Sequence, residues 1–440
     1  MNIAPRFNLE RKDIAGDPLK NLIIIVRADP IICGHSTEAR NLAEAAKDAG
    51  YENVHIVSYP IDILENSGLP LKPLDSIQPY TRGIQVDRPN EVGGYKVLDG
   101  RLSYAISGHI VDLLHRFSGR TALMDLYLVP HGQMAMNAVQ SFAQTDIFRD
   151  VLTIGEAVGS DITNVVKNAV HENCFGAAQL VLSNYLDHDI PVAVSQYTKD
   201  LILEAGRDVD SALGTNFEQR LTEKVGISFP AINTIDYTSL DDRAGEVEEV
   251  LNTRNLTRDG YVLFLSRLAR AKGVDDLIHA YRGSELYQQQ KLVICGNGPA
   301  NEDLQQLAGD DPWIVIYNDV SDREKGALMH GCFAYTLPSK PCVEFVETFG
   351  IAIAEKMLAG GLGPVITTRT GGIPEATGGQ CLEHEAGDID GLKYQLNVAA
   401  SMSLEDRADL SRRAREYAMQ FDKQQVLEKL TRSSLSLTAA

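Results

Sequence analysis

The chain has 440 residues, 44% of them hydrophobic and 23% charged, with a formal net charge of −19. That length exceeds what one ordinary core fills, so two domains are expected, and the composition is that of a soluble globular protein. The acidic balance argues against nucleic acid or an anionic membrane as partner, while leaving room for an anionic small molecule held by local cations.

The start, MNIAPRFNLERKD, shows no signal-peptide h-region, and no apolar run reaches bilayer-spanning length. The six cysteines, at 33, 174, 295, 332, 342 and 381, form no CxxC pair. These features predict a cytoplasmic protein with free thiols, no zinc and no membrane span. Homo-oligomerisation is left open.

In chain order, β-branched runs alternate with helical patterns. NLIIIV, NVHIVSY, LMDLYLV, VLTIG and IPVAVS form a first set, and YVLFLSRL, KLVICG, WIVIYN, CFAYTLP and GPVITT a second. Strands that are apolar on both faces and separated by helices indicate parallel sheets covered on both sides. The expected fold class is α/β, with two doubly wound units rather than one large sheet. Ser67 to Gly100 is rich in Pro, Gly and Asp and too long for a plain connection, which suggests a binding surface. Ile235 to Gly260 is polar and acidic and reads as the linker, dividing the chain into domains at 1–240 and 255–415. The tail, RRAREYAMQF followed by DKQQVLEKLTRSSL, reads as helical.

Candidate chemistry gathers in the second half. LFLSRLARAKGVDDLIHAY is a strand ending at Ser266, a loop, and a helix opening near Gly273. Arg267 and Lys272 flank that loop at the ligand-binding edge of a parallel sheet, where two cations beside a helix N-terminus suit a pyrophosphate. On the loop alone, solvated surface charges are an equal reading. Gly296 and Gly298 follow the next strand, but the dinucleotide fingerprint needs a third glycine where Asn301 stands, so NAD binding is poorly supported. In PSKPCVEFVETFGIAIAEKM, Thr348-Phe349-Gly350 form a turn opening a small-residue helix, with Glu347 before it and Glu355 within it. Each glutamate alone reads as a helix cap or a surface ion-pair partner. Together they bracket an apolar helix that carries few other charges. TTRTGGIPE then offers Gly371-Gly372, a loop able to donate amides to a phosphate.

These residues, in this order (Arg267 and Lys272, Gly-x-Gly-Pro, Pro338-Ser339, the Glu347–Glu355 pair and the Gly-Gly loop), resemble retaining glycosyltransferases of family 4, near the sucrose-phosphate-synthase-like group. The likeness covers Tyr261 to about Gly379. More loosely, CGHSTEARNLAEAAKDAGY resembles the family's Gly-containing first loop and helix, and VAVSQYTKDLI another strand and helix. The resemblance implies the GT-B architecture, with two Rossmann-like domains facing a cleft. The first domain would take the acceptor, the second the nucleotide sugar, and a helix at about 416–440 would cross back to the first.

The resemblance also implies site roles. Arg267 and Lys272 would bind the donor diphosphate, Glu347 hydroxyls of the transferred sugar, and Glu355 the ribose. Amides around Phe349, Gly350 and Ile351 would sit near sugar and phosphate, Gly34 would approach from across the cleft, and the nucleobase would lie near Val320. The reaction implied is retaining transfer of a hexosyl unit from a UDP- or GDP-sugar to a small soluble acceptor: a sugar, sugar phosphate or cyclitol. No cofactor and no metal are expected. One departure stands out. Where relatives carry Gly-His-Ser-Leu-Gly after a strand, TIGEAVGSD places Glu156, which would accept from a sugar hydroxyl or pair with an amino sugar. His131 and His109 are alternative sugar-contacting residues. Competing readings are a GT-B phosphorylase using a sugar 1-phosphate and a non-catalytic nucleotide-sugar sensor.

Overall fold

Strands β1 (Leu19–Ile25), β2 (Asn53–Val57), β3 (Ile84–Asp87), β4 (Arg120–Leu126), β5 (Val151–Ala157), β6 (Ile190–Ala193) and β7 (Gly226–Ile227) form one sheet. Its order is β3-β2-β1-β4-β5-β6-β7, with parallel pairing throughout. A second parallel sheet, ordered β10-β9-β8-β11-β12-β13, contains β8 (Tyr261–Leu265), β9 (Lys291–Cys295), β10 (Ile314–Tyr317), β11 (Ala334–Leu337), β12 (Val365–Thr368) and β13 (Leu382–His384). This computed structural model describes residues 18–31, 33–69, 71–72, 74, 77–93, 100–145, 150–342 and 345–436. The expected binding surface at 67–100 therefore lies partly outside the described residues.

The central strands are apolar on both faces because helices cover both: Ile23, Ile24, Ile25, Val262, Leu263 and Phe264 are all 0% exposed. The sequence pattern misses β3, β7 and β13. All three are sheet edges, short and half-solvated (IQVD, GI, LEH), so no continuous apolar run marks them. The helices that matter below are α1 (Gly34–Asp48), α2 (Arg101–Arg116), α3 (Gln196–Leu213), α4 (Thr234–Thr238), α5 (Ala244–Thr253), α6 (Asp322–Gly331), α7 (Ile351–Ala359), α8 (Ile373–Thr377) and α9 (Lys423–Ser436).

The polar stretch read as a linker is not a tether. It contains α4 and α5, and buries Tyr237, Leu240, Val247, Leu251 and Leu256 in the second domain's core. Val247 and Leu251, four apart on one helical face, supply a stripe too sparse to lift the segment's overall polarity. The crossing itself is narrower. Ile232 pairs with Asp422 as a parallel bridge, through Ile232 N–H to Phe421 O at 2.8 Å and Lys423 N–H to Ile232 O at 2.9 Å. Beyond that bridge, α9 lays Val426, Leu427 and Leu430 into the first domain's core beside α1.

In each sheet the strand order reverses between two central strands, β1 and β4 in the first and β8 and β11 in the second. Loops leaving neighbouring strands there turn to opposite faces and open a crevice, the usual place for a ligand in such sheets. The two crevices face each other.

Candidate functional site

On the second domain's wall, the loop after β8 makes a short turn that ends at Gly273, whose φ is +67°. A Cβ there would sit 2.1 Å from Pro338 O, so only glycine lets this turn close against the strand beside it. The turn aims Lys272 inward, 7% exposed, where its ammonium pairs with Glu347 Oε2. Burial would make either charge costly alone, and the pair compensates both before any ligand arrives. Arg267 lies beside it, its guanidinium 5.5 Å from the Phe345 ring centre, and Lys272 Nζ is 5.1 Å from the same ring.

Gly350, at φ +100°, opens α7. The amides of Phe349, Gly350, Ile351 and Ala352 donate to no acceptor among the described residues, which leaves a helix N-terminus with free donors beside two cations. Deeper in α7, Glu355 is 3% exposed and accepts on Oε1 from Tyr237 Oη at 2.7 Å and Lys325 Nζ at 2.5 Å. The Gly371–Gly372 loop does not offer both its amides to a ligand. Gly372 N–H donates to Glu347 O at 3.0 Å, and a Cβ on Gly371 or Gly372 would meet Glu347 O or Thr348 O at 1.9 Å. Its glycines exist to seat the backbone that carries Glu347.

The first domain's wall carries residues that the sequence reading did not single out. Arg27 follows β1 and lies 5.3 Å over the Tyr127 ring that follows β4. Tyr127 has φ 110° and ψ 110°, a backbone state that costs a non-glycine residue roughly 1–3 kcal/mol and persists only where its surroundings enforce it. His35, in the first turn of α1, and His131 flank that ring at 6.1 and 6.3 Å. Burial, followed by the positive charges of Arg27, His131 and Arg267, pushes His35 down to about 4. His131 is likewise pushed down to about 4, by burial first. Both imidazoles are neutral at physiological pH. Among the described residues, Arg27 and Arg267 are the half-buried arginines that neither ion-pair nor hydrogen-bond within the chain. The His35 imidazole feels the charge of both, one from each wall.

The walls approach closely. A Cβ on Gly34 would lie 3.0 Å from Ile351 Cδ1, and one on Gly159 2.1 Å from Thr348 Cγ2. Glu375 of α8 accepts from the amides of Gln196 (2.8 Å) and Tyr197 (3.3 Å) at the N-terminus of α3, and Lys72 pairs with Asp322 at 2.6 Å.

The other predicted residues fall as follows. Gly34 faces α7 across the cleft. Val320 is half-buried in the loop after β10, which Asn318 braces through Gly296 O at 2.6 Å. Phe349 is 2% exposed, its ring packed on Phe229 and Phe421. His131 reaches the first crevice; its Nδ1 is 2.8 Å from Leu126 O and its buried Nε2 has no partner. His109 does not. On α2 it lies 3.1 Å from Asp87 Oδ2, the carboxylate that also holds His55, at the sheet edge. Glu156 departs furthest from expectation. It is 0% exposed on β5, with neither carboxyl oxygen hydrogen-bonded. Burial, then the charges of Glu38, Asp125 and Asp161, push it well above the carboxylate range. With no exposed surface, its carboxyl does not reach an amino sugar in this arrangement.

Residues 249–417 match the family model of glycosyl transferases group 1. No curated protein sequence matches the chain. Solved structures similar to it include HepE of Anabaena in complex with UDP and glucose, at 16% identity over 94% of this chain and 100% of that one, TM-score 0.64. A glycosyltransferase from Rickettsia africae is similar at 14% identity over 96% and 99%, TM-score 0.64. A UDP-forming α,α-trehalose-phosphate synthase from Burkholderia xenovorans in complex with glucose-6-phosphate aligns at 12% identity over 94% and 100%, TM-score 0.64. The two parallel-sheet domains have the GT-B fold.

Proposed function

From the premise that residues 249–417 form a group 1 glycosyltransferase domain within a GT-B fold, we propose that this chain is a retaining glycosyltransferase of family 4. It moves a hexosyl unit from a UDP- or GDP-sugar to a small soluble acceptor. The observation that carries the reading is the buried Lys272–Glu347 pair beside Arg267 and the free amides that open α7.

In this reading Arg267, Lys272 and the amides of Phe349 to Ala352 hold the diphosphate, Glu347 takes sugar hydroxyls through Oε1, which has no partner among the described residues, and Glu355 takes the ribose through Oε2. Breaking the anomeric C–O bond builds positive charge on the sugar and negative charge on the diphosphate. Cations and amides already in place stabilise the latter without reorganising. The acceptor hydroxyl attacks from the face the diphosphate leaves, and a departing phosphate oxygen takes its proton. No step is assigned to a metal or cofactor. Glu347 positions and stabilises the sugar and forms no covalent bond to it.

Of the acceptors considered, a sugar phosphate fits best, because Arg27 would be a second anion partner and has no carboxylate partner among the described residues. All six cysteines are free thiols, which supports a reducing compartment such as the cytoplasm. The test is nucleotide release from a panel of UDP-, GDP- and ADP-sugars, with and without phosphorylated and unphosphorylated acceptors. Acceptor-dependent release with one nucleotide sugar supports the reading. Turnover of sugar 1-phosphates instead would assign a phosphorylase, and binding without release a sensor.

A further inference from the structure

The crossing between the domains touches the donor wall at both ends of the Glu347–Glu355 segment. Phe229, before the crossing, and Phe421, on the return, pack on Phe349 with ring centres 5.6 and 5.1 Å away. Just past the Ile232–Asp422 bridge, α4 carries Tyr237, whose hydroxyl donates to Glu355 Oε1. Tyr237 is 9% exposed, and burial, then the Glu355 charge, hold its phenol well above its ordinary range, so it remains a donor. Lys325 holds the same oxygen from α6. Oε2 has no partner among the described residues.

We infer that Tyr237 is a positioning residue for the nucleotide: by tying Glu355 Oε1 to the first helix after the domain crossing, it turns Oε2 toward the ribose hydroxyls and couples ribose recognition to that crossing. The inference rests on the reading above, in which Glu355 meets the ribose. The physical reason is that two donors on one oxygen fix a carboxylate's plane. Lys325 alone is a point charge on a flexible stem and lets that plane swing. A hydrogen bond to a charged acceptor is worth more than one between neutral groups, so losing it is measurable.

The experiment measures dissociation constants of UDP and 2′,3′-dideoxy-UDP (or the GDP pair, should GDP bind tighter) for wild type, Tyr237→Phe, Lys325→Gln and Glu355→Gln. Tyr237→Phe is expected to weaken the ribonucleotide about tenfold and the dideoxy analogue less than about twofold. Equal losses for both ligands would mean a merely structural tyrosine and overturn the inference, as would no loss for either. The Glu355→Gln arm separates the two levels. If it leaves the ribo-to-dideoxy ratio unchanged, the ribose role of Glu355 falls and the inference with it. If it collapses the ratio while Tyr237→Phe and Lys325→Gln do not, only the inference falls.

Discussion

The two switch points are built alike and charged differently. In each, an arginine stands two residues past the central strand, Arg27 after Ile25 and Arg267 after Leu265, and each lies over an aromatic ring instead of a carboxylate. Around Arg267 the lysines and glutamates are paired, Lys272 with Glu347 and, deeper, Lys325 with Glu355. Around Arg27 the rings are neutral, two imidazoles and a tyrosine, and the carboxyls beneath them, Glu38, Glu156 and Asp161, are all pushed up by burial. A paired ionic wall can trade partners with a charged ligand without first being desolvated. A neutral wall with one free guanidinium can take a sugar carrying a single anion. On the proposed reading, the same topology therefore serves a donor side and an acceptor side.

The contrast breaks most visibly at Lys272. Lys272→Ala should cost at least ~3 kcal/mol of transition-state stabilisation, a loss of more than a hundredfold in kcat/KM with every acceptor. A near-normal rate would remove the chemistry from this wall. Because the variant strands Glu347, its melting temperature should fall as well, and Lys272→Ala with Glu347→Gln should recover stability without recovering rate.

The cluster on the second domain's wall was legible because its residues are local. Arg267 and Lys272 share one turn, and Glu347, Gly350 and Glu355 share one turn and helix. Spacing along the chain therefore reports spacing in space. The first domain's cluster is assembled from the ends of β1 and β4 and the start of α1, and nothing in sequence brings Arg27, His35 and Tyr127 together. One signal was present: Arg27 interrupts the apolar run IIIVRADP at a strand end, just as Arg267 does in LFLSRLA. Strands with apolar runs were legible, the edge strand β10 among them, while the short, half-solvated edges β3, β7 and β13 were not. The segment from Ile235 was misread because a short helix that packs with one face looks polar when averaged.

The neutrality of the first switch point gives a pH prediction. Burial pushes Glu38 from 4.5 up to about 8, and Glu156 is raised as well. Folded carboxyls then hold protons that the unfolded chain has released, so stability falls as pH rises from near 4.5 through about 8, by up to ~1.4 kcal/mol per pH unit for each group. Glu156→Gln keeps the neutral shape without the proton. Thermal melts across that range should show a shallower decline than wild type, and an unchanged slope would mean Glu156 is ionised in the fold.

Arg27→Gln sharpens the assignment of sides. With a phosphorylated acceptor kcat/KM should fall about tenfold, while the same sugar without its phosphate should lose less than about twofold. Equal losses would place Arg27 on the donor diphosphate with Arg267 and erase the distinction between the walls.

The smallest expected effect concerns how the walls are held together. Glu375 places its carboxylate on the first amides of α3, reaching from the second domain to the first, where the positive end of the helix dipole favours a negative charge. Glu375→Gln keeps an acceptor oxygen but removes the charge, which at an exposed helix end is worth about 0.3–1 kcal/mol. Neither wall loses a ligand contact, so the cost should fall on the closed arrangement alone: a rise of about two- to fivefold in KM for both substrates with kcat nearly unchanged. A screened charge loses its advantage in salt, so the gap between wild type and variant should narrow as ionic strength rises past about 0.1 M. A gap that ignores salt, or appears for only one substrate, would make Glu375 a local support for its own wall and leave the two switch points to meet without it.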